Sequence, residues 1–292
     1  MVPIQQYGGT GDGVTNNTTA LQAAVDALTA GGGTIYMPAG TYLCSTSIAW
    51  KSNVNLVGDG MGKTIIQLAD GAQIEATGTP EAPISDCSFR DFTVDGSAHT
   101  DWYKGFFFIY CLRLTYTRVK VQNTGATGFG NDYMVDCLYD SCIADDCGTS
   151  GTIETAGCSG FGIGTGKYEK ENTRLVNCTA TGNKRYGAFF EKQESGVGNY
   201  FSQGCEISGG TFDSNQWGVG DCGVDGLIVD SATVTNNIAA GVYVGGPSLL
   251  NVAGINGTIS NCEIAGNGAA GIEPAAPDTY TLTNNNVHDN GA

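Results

Sequence analysis

Histidine, basic residues and closely spaced cysteines are all scarce in this chain of 292 residues. It has two histidines, His99 and His288, and its cysteines do not form Cys-x-x-Cys pairs, so a zinc site is not expected. Only 13 lysines and arginines stand against 29 aspartates and glutamates, which gives a net charge of −16. Nucleic acid and anionic membranes need clustered cations, so neither is expected as a partner.

Long apolar runs are also missing. None approaches the ~20 residues that span a bilayer, so no membrane insertion is expected. The first residues lack the basic and apolar regions of a signal peptide, which indicates folding in the cytoplasm unless a leader has been removed. The 11 cysteines are odd in number and evenly spread. We expect them to be reduced and buried, because several take the place of aliphatic residues in a repeat.

Glycine is abundant, with 45 residues, but it follows no three-residue period, which excludes collagen. From residue 84 onward, a glycine repeatedly precedes a short apolar strand, at spacings of 23 to 32 residues. These glycine-led starts are Gly105-Phe106, Gly128-Phe129, Gly160-Phe161, Gly187-Ala188, Gly218-Val219, Gly241-Val242 and Gly271-Ile272. The drifting spacing indicates coils of variable length rather than a leucine-rich repeat or a propeller.

A second repeated column precedes the polar turns: Val94, Val121, Ala144, Ala180, Phe212, Val234, Ile264 and Val287. Two residues before each stand Phe92, Val119, Cys142, Cys178, Gly210, Ala232, Cys262 and Asn285. The period of two places both columns on one inward face. Asparagine-rich turns such as Asn236-Asn237 and residues 284–286 suit left-handed turns and stacked amides. The sequence therefore predicts an all-β fold, a right-handed single-stranded parallel β-helix.

The N-terminal segment predicts a capping α-helix. Apolar residues at i, i+3, i+4 and i+7 indicate a helix over 18–28, with Asn16 or Asn17 as its cap. Strands are expected at 34–37 and 41–44. We interpret residues 1–45 as the cap and residues 46–292 as the coils of one continuous domain.

The segments GDGVTNNTTALQAAVDA and GGGTIYMPAGTYL resemble the opening of the pectate-lyase-like β-helix superfamily. That opening occurs in mannuronan C5-epimerase modules and in phage tail spike and minor tail β-helix proteins. The resemblance implies the fold but not an activity, because this fold hosts many functions.

Candidate chemistry lies in the column four residues after each glycine. There Asp132 and Glu191 are two coils apart, with Gly164 between them, so their Cα atoms are expected roughly 10 Å apart. Paired carboxylates at about such a separation serve glycoside hydrolysis, with a water between them. Asp221 is a third catalytic candidate. The candidate substrate-binding residues are Phe107, Phe189, Lys167, Lys192 and Tyr243. No cofactor is expected, although calcium bound by Asp132, Asp221 or Asp225 is an alternative.

The segment 127–133 matches the YGFDPHE motif of the mannuronan C5-epimerases. Its Gly-Phe core is kept, whereas the tyrosine, aspartate and histidine positions are Thr127, Gly130 and Asp132. Proton transfer at C5 needs the histidine and tyrosine, so the resemblance favours hydrolysis over lyase or epimerase activity. His99 is expected in an exposed loop.

Two functions follow as hypotheses. The first is a phage tail spike, fibre or minor tail component of the virion that binds, and in one version cleaves, host-surface polysaccharide as a homotrimer or with other tail proteins. The second is a bacterial polysaccharide-active enzyme, with secretion as the alternative location. A purely structural β-helix is the remaining reading.

Overall fold

The computed structural model of the chain describes residues 1–153, 157–193, 199–245, 248–274 and 279–291. Within these ranges the regular secondary structure is almost all β-strand, and the chain folds as the right-handed parallel β-helix that the repeat predicts. Most coils contribute one strand to each of three sheets, and strands of neighbouring coils pair in parallel. No helix of the described residues is long and apolar enough to cross a membrane.

The N-terminal elements are β1 (Val2–Pro3), a 3-10 helix (Ile4–Tyr7), β2 (Asp12–Asn16), α1 (Thr18–Leu28), β3 (Gly33–Tyr36) and β4 (Gly40–Cys44). The predicted helix is confirmed, and its buried stripe comprises Ala20, Leu21, Ala24 and Val25. The Asn16 side chain accepts the amide hydrogen of Thr18 at 3.1 Å, while the side chain of Asn17 accepts that of Thr10 at 2.7 Å. The N-cap residue is Asn17, which makes no side-chain capping bond, and the Asn16 side chain instead satisfies the first amide of the helix.

The remaining strands follow in chain order. They are β5 (Ile48–Ala49), β6 (Val54–Val57), β7 (Thr64–Leu68), β8 (Ile74–Thr77), β9 (Ile84–Ser85), β10 (Ser88–Asp95), β11 (Phe106–Leu112), β12 (Thr115–Gln122), β13 (Phe129–Val135), β14 (Leu138–Asp140), β15 (Ile143–Asp145), β16 (Phe161–Thr165), β17 (Arg174–Val176), β18 (Thr179–Thr181), β19 (Tyr186–Lys192), β20 (Glu206–Ser208), β21 (Thr211–Asp213), β22 (Trp217–Cys222), β23 (Ile228–Asp230), β24 (Thr233–Thr235), β25 (Val242–Val244), β26 (Thr258–Ser260), β27 (Glu263–Ala265), β28 (Ile272–Pro274), β29 (Thr281–Thr283) and β30 (Asn286–His288).

The strands form three long faces. Sheet A contains β1, β3, β6, β14, β17, β20, β23, β26 and β29. Sheet B contains β2, β4, β7, β15, β18, β21, β24, β27 and β30, and the long strands β10 and β12 run through both A and B. Sheet C contains β5, β8, β11, β13, β16, β19, β22, β25 and β28, with β9 beside β11. Because β3 and β4 pair with β6 and β7, the stack includes residues before 46.

The glycine-led starts set the register of sheet C as the sequence predicts. The residues that follow these glycines are aligned as Phe106 to Phe129, Phe129 to Phe161, Phe161 to Ala188, Ala188 to Val219, Val219 to Val242, and Val242 to Ile272. Stacked rings continue this column inside the coil, with 5.6 Å between the centroids of Phe106 and Phe129. Identical positions in successive coils therefore pack on one another.

The cysteines lie in the core, as expected. All 11 are buried thiols outside any disulfide. Burial raises the pKa of Cys44 and of Cys147 to about 12, so these thiols stay protonated at neutral pH. Val287 is aligned with Ile264 in the predicted inward column, but 47 % of it is exposed because no described coil follows β30.

A ladder of buried amides runs along one turn. The side-chain nitrogen of each asparagine donates to the side-chain oxygen Oδ1 of the asparagine in the next coil, at 2.8 to 3.2 Å. The ladder consists of Asn183, Asn215, Asn237, Asn267 and Asn290. The left-handed turn prediction also holds, with φ of 52° at Asn236 and 55° at Asn284.

One expectation about this part of the fold is wrong. His99 is buried rather than in an exposed loop. Its Nδ1 accepts the amide hydrogen of Gly125 at 3.1 Å, and its Nε2 lies 3.0 Å from the carbonyl oxygen of Ala72. These bonds tie three coils together.

Candidate active site

Two columns of side chains cover the outer face of sheet C. The first passes through Phe107, Gly130, Gly162 and Phe189, which are aligned in consecutive strands. The second lies two residues further along each strand and passes through Ile109, Asp132, Gly164, Glu191 and Cys222. The glycines leave a gap between bulky neighbours, because they carry no side chain to cover the sheet.

A cleft of about 230 Å³ occupies this gap. It contains three charged side chains, those of Lys104, Asp132 and Glu191. Its other lining residues are Trp102, Phe107, Ala126, Thr127, Gly130, Gly157, Ser159, Gly162, Ile163, Gly164, Phe189, Gln193 and Leu249. A mostly apolar cleft with a few convergent polar groups is typical of a ligand site.

Asp132 leans over Gly164 toward the strand of Glu191. A Cβ atom added to Gly164 would overlap Oδ1 of Asp132, so the absent side chain is what admits the carboxylate. Burial raises the pKa of Asp132, while the charge of Lys104 lowers it. The carboxylate is therefore held in a partly desolvated place beside one cation.

Glu191 is 7 % exposed and is held at both carboxyl oxygens. The backbone amide of Leu249 donates to Oε1 at 2.6 Å, and the side-chain amide of Gln193 donates to Oε2 at 3.0 Å. Burial raises the pKa of Glu191, and the charge of Asp132 raises it further, while the Leu249 amide lowers it. A glutamate in such a place can hold a proton at a pH where an exposed one cannot.

Lys104 is a cleft residue that the column count missed. Its Nζ lies 3.7 Å from the ring centroid of Phe107, and its side chain covers Gly130. Burial lowers the pKa of Lys104, and the charges of Asp132 and Glu191 oppose that shift. Lys104 directly precedes the glycine-led start at Gly105. Columns counted forward from that glycine therefore do not include it.

Two of the three aromatic residues that are predicted to bind substrate line the cleft. Phe107 lines the cleft and is half-buried. Phe189 also lines the cleft, but it is 3 % exposed rather than open, because Tyr186 stacks on it with 4.2 Å between ring centroids. Tyr243 lies further along the solenoid, beside Trp217, with 6.0 Å between centroids. Tyr243 does not line this cleft.

Asp221 is not beside the carboxylate pair, which corrects its assignment as a catalytic candidate. It is fully buried and accepts amide hydrogens from Gly223 at 3.2 Å and Val224 at 3.0 Å, as well as the hydroxyl hydrogen of Tyr280. Burial raises the pKa of Asp221 to about 6. It is aligned with Phe190, which faces the core, so it points to the opposite side of the sheet from Glu191.

The two predicted substrate-binding lysines also lie outside the cleft. Lys192 is 4 % exposed, and its Nζ lies 3.8 Å from the ring centroid of Phe201. The Nζ of Lys167 lies 6.0 Å from the ring centroid of Tyr110. Asp225 accepts hydrogen bonds from the side chains of Gln203 and Asn256, each at 2.7 Å.

No group of three or more acids, histidines or cysteines within the described ranges is arranged to hold a metal ion. Asp132, Asp221 and Asp225, the residues considered for calcium, do not converge on one point, because Asp132 faces the cleft and Asp221 the interior.

The sequence profile of a family described as rhamnogalacturonase A/epimerase, pectate lyase-like, matches residues 1–243. The chain belongs to this family. It is 33 % identical over 172 residues to mannuronan C5-epimerase AlgE6 of Azotobacter vinelandii, a match that covers 51 % of the chain and 20 % of the relative. It is 27 % identical over 191 residues to the KN3-specific capsule depolymerase 1 of Klebsiella phage KN3-1, covering 58 % of the chain and 23 % of the relative.

The rhamnogalacturonase A/epimerase fold is also seen in a solved relative. The A-module of mannuronan C-5 epimerase AlgE4 from Azotobacter vinelandii superposes with a TM-score of 0.69 at 21 % identity, covering 100 % of the chain and 96 % of the module. This likeness supports the fold. The matched segments of the curated relatives span only about a fifth of their length.

Within this pectate lyase-like chain, the positions of the tyrosine, aspartate and histidine of the YGFDPHE motif lie close together. Thr127, Gly130 and Asp132 all line the cleft. These differences from the motif thus lie on the same surface as Glu191, which shares a column with Asp132 two strands away.

Proposed function

We propose that this chain hydrolyses a polysaccharide in the cleft, with Glu191 as the general acid and Asp132 as the general base. The observation that carries the proposal is the placement of two partly desolvated carboxylates on one column, two strands apart, with only Gly164 between them. Their Cα atoms are roughly 10 Å apart. That spacing leaves room for a glycosidic bond and a water molecule between the carboxyls.

The roles follow from the surroundings of each acid. Glu191 is the more enclosed, and both its burial and the charge of Asp132 raise its pKa, which suits a group that must carry a proton. Burial raises the pKa of Asp132 as well, but the charge of the adjacent Lys104 opposes that shift and favours the ionised base. In the reaction, Glu191 donates a proton to the glycosidic oxygen while Asp132 takes a proton from water. The water oxygen bonds to the anomeric carbon as the glycosidic bond breaks.

Elimination and epimerisation are the competing reactions, because relatives of the chain are named mannuronan C5-epimerases and alginate lyase 7. Both begin with removal of the C5 proton. The histidine and tyrosine of the YGFDPHE motif are replaced here by Asp132 and Thr127, which favours hydrolysis. The product distinguishes the reactions, since a lyase leaves an unsaturated, ultraviolet-absorbing sugar and a hydrolase does not.

The experiment incubates the purified chain with alginate and with bacterial capsular polysaccharides and measures new reducing ends. We expect release by the wild type and a loss of about a hundredfold or more in Asp132→Asn and Glu191→Gln. Glu273→Gln is the matched control, because Glu273 is an exposed glutamate on β28 of the same sheet. Full activity in both cleft variants would refute the assignment. An EDTA arm tests calcium, and we propose that hydrolysis needs none.

We further propose that the chain is part of a phage tail and acts on host-surface polysaccharide. The support is its likeness to a phage capsule depolymerase. Identical chains most often assemble with closed symmetry, and we propose that this chain forms a homotrimer in solution. Light scattering that gives a monomer at all protein concentrations would favour the free-standing, secreted enzyme instead.

A further inference from the structure

The carboxyl group of Glu191 is bound by two donors of different chemical character. At Oε1 the partner is the backbone amide of Leu249, at 2.6 Å. A peptide N–H can only donate, so Oε1 must offer it a lone pair in every protonation state. At Oε2 the partner is the side-chain amide of Gln193, at 3.0 Å. A glutamine amide can donate through nitrogen or, after rotation, accept through oxygen.

We propose that the Leu249 amide and the Gln193 side chain together fix the acid proton of Glu191 on Oε2. This inference rests on the proposed function, because it specifies how the general acid is held. When Glu191 is ionised, Gln193 donates to Oε2. When Glu191 is protonated, the amide of Gln193 turns, and its oxygen accepts the Oε2 hydrogen. Gln193 lines the cleft, so the hydrogen bond that holds the proton on Oε2 adjoins the substrate space.

The segment that carries Leu249 is anchored by the buried acid Asp221. The amide of Gly254 donates to the carbonyl oxygen of Asp221 at 3.3 Å, and Gly254 packs directly against its carboxylate. Further along, the amide of Ile255 donates to the carbonyl oxygen of Val224 at 2.8 Å. The main chain at Asp221 thus holds the segment from which Leu249 reaches the carboxyl group of Glu191.

Gln193 is held in place by its own backbone. The backbone amide of Gln193 donates to the backbone carbonyl oxygen of Thr165 in the neighbouring strand at 2.9 Å. Its Cγ lies over Gly164, where an added Cβ would come within 2.9 Å of it. The same absent side chain therefore admits both Asp132 and the residue that receives the proton of Glu191.

Other titratable groups also act on Glu191 electrostatically. The charge of Arg185 lowers the pKa of Glu191, and that of Asp132 raises it. The remaining groups that interact with it are Lys104, Tyr186 and Cys222. The hydrogen-bond contribution must be measured with these charges unchanged, so the test variants replace only neutral residues.

The test follows the Glu191 carboxyl carbon by ¹³C NMR during a pH titration, with the resonance assigned by its loss in Glu191→Gln. Leu249→Pro removes the amide hydrogen, whereas Leu249→Ala keeps it and serves as the control. We expect the pKa of Glu191 to rise in Leu249→Pro and to stay at the wild-type value in Leu249→Ala. Equal values in the two variants would overturn the role of the Leu249 amide.

Gln193→Met is the second variant and keeps the test decisive if Leu249→Pro does not fold. It preserves the length of the side chain and removes the group that can both donate and accept. We expect the pKa of Glu191 to rise and the alkaline limb of kcat/KM to move to higher pH, with kcat down about tenfold or more. An unchanged titration in Gln193→Met contradicts the inference. The NMR titration needs no substrate, so failure of the wild type to cleave any glycan refutes only the proposed function.

Discussion

Asp132 and Glu191 face the same cleft from strands β13 and β19, and the single strand between them contributes Gly164 at their position. The absent side chain has two effects. It leaves space above the sheet, and it allows Asp132 to lean along the solenoid axis toward Glu191. The geometry of the pair thus depends on a residue that takes no part in the chemistry.

Gly164→Ala should abolish most of the activity while leaving the fold intact. The new Cβ would overlap the Asp132 carboxylate and crowd Gln193, so both must move. A displacement of about 1 Å at a catalytic group can cost about a hundredfold in rate. Reducing-end release and circular dichroism check the prediction. Gly31→Ala is the control, because a Cβ there meets open space; equal activity in the two variants would count against the geometry.

Lys104→Met should shift the acid limb of the pH–rate profile to higher pH. The charge of Lys104 lowers the pKa of Asp132, so its removal raises the pH at which the base becomes ionised. The profile of kcat/KM against pH measures this shift. Lys63→Met, at an exposed turn, should leave the profile as it is. A Lys104→Met profile that coincides with that of the wild type would show that Lys104 does not act on Asp132.

Glu171→Gln should stabilise the protein at alkaline pH. Glu171 is fully buried, and burial raises its pKa from 4.5 to about 8. Because the folded pKa is raised, its contribution to the free energy of unfolding is complete below pH ~4.5 and is lost as pH rises toward ~8. The loss amounts to roughly 4–5 kcal/mol.

Glutamine does not ionise, and its carbonyl oxygen can still accept the amide hydrogens of Lys167 and Tyr168 that Glu171 accepts at 3.2 Å. Urea unfolding of both proteins at pH 5 and pH 8.5 tests this. We expect the free energy of unfolding of Glu171→Gln, relative to that of the wild type, to be larger at pH 8.5 than at pH 5. A constant difference in the free energy of unfolding would contradict the prediction.

The thiols should be unreactive in the folded protein. All 11 cysteines are buried. Burial raises the pKa of the Cys87 thiol to about 11 and that of the Cys137 thiol to about 12. We expect negligible reaction with a thiol reagent under native conditions and reaction of 11 groups after denaturation. Rapid reaction of several native thiols would show that the cysteine columns are open to solvent.

The fold could be predicted from the sequence because the information is local and repeated. Each glycine-led start supplies the same register signal, and alternation then assigns every second residue to the core. This reasoning also gave the column that contains Asp132 and Glu191. It placed Cys142 and Cys178 in the interior for the same reason, and both are buried.

The rest of the site could not be predicted from the alternation of inward and outward residues along the strands. Some of these residues lie on the opposite face of a strand, and others lie in connections between strands. Asp221 follows Gly218 by three residues rather than four, and a shift of one residue in a strand reverses the face of a side chain. Lys192 directly follows Glu191 in the strand, so its side chain points to the other face and is buried outside the cleft. Lys104 and Leu249 reach the cleft from connections between strands, where no period exists. The burial of Phe189 depends on Tyr186, whose ring lies over Gly220.

The most direct test of the account is the rate of reducing-end release by the wild type and by Glu191→Gln on a polysaccharide that the wild type cleaves. Hydrolysis by Asp132 and Glu191 predicts saturated-sugar products from the wild type. It also predicts a rate that is lower by about a hundredfold or more in the variant, with the fold unchanged. Release at the wild-type rate by Glu191→Gln, or products that carry a double bond, would contradict hydrolysis by this carboxylate pair.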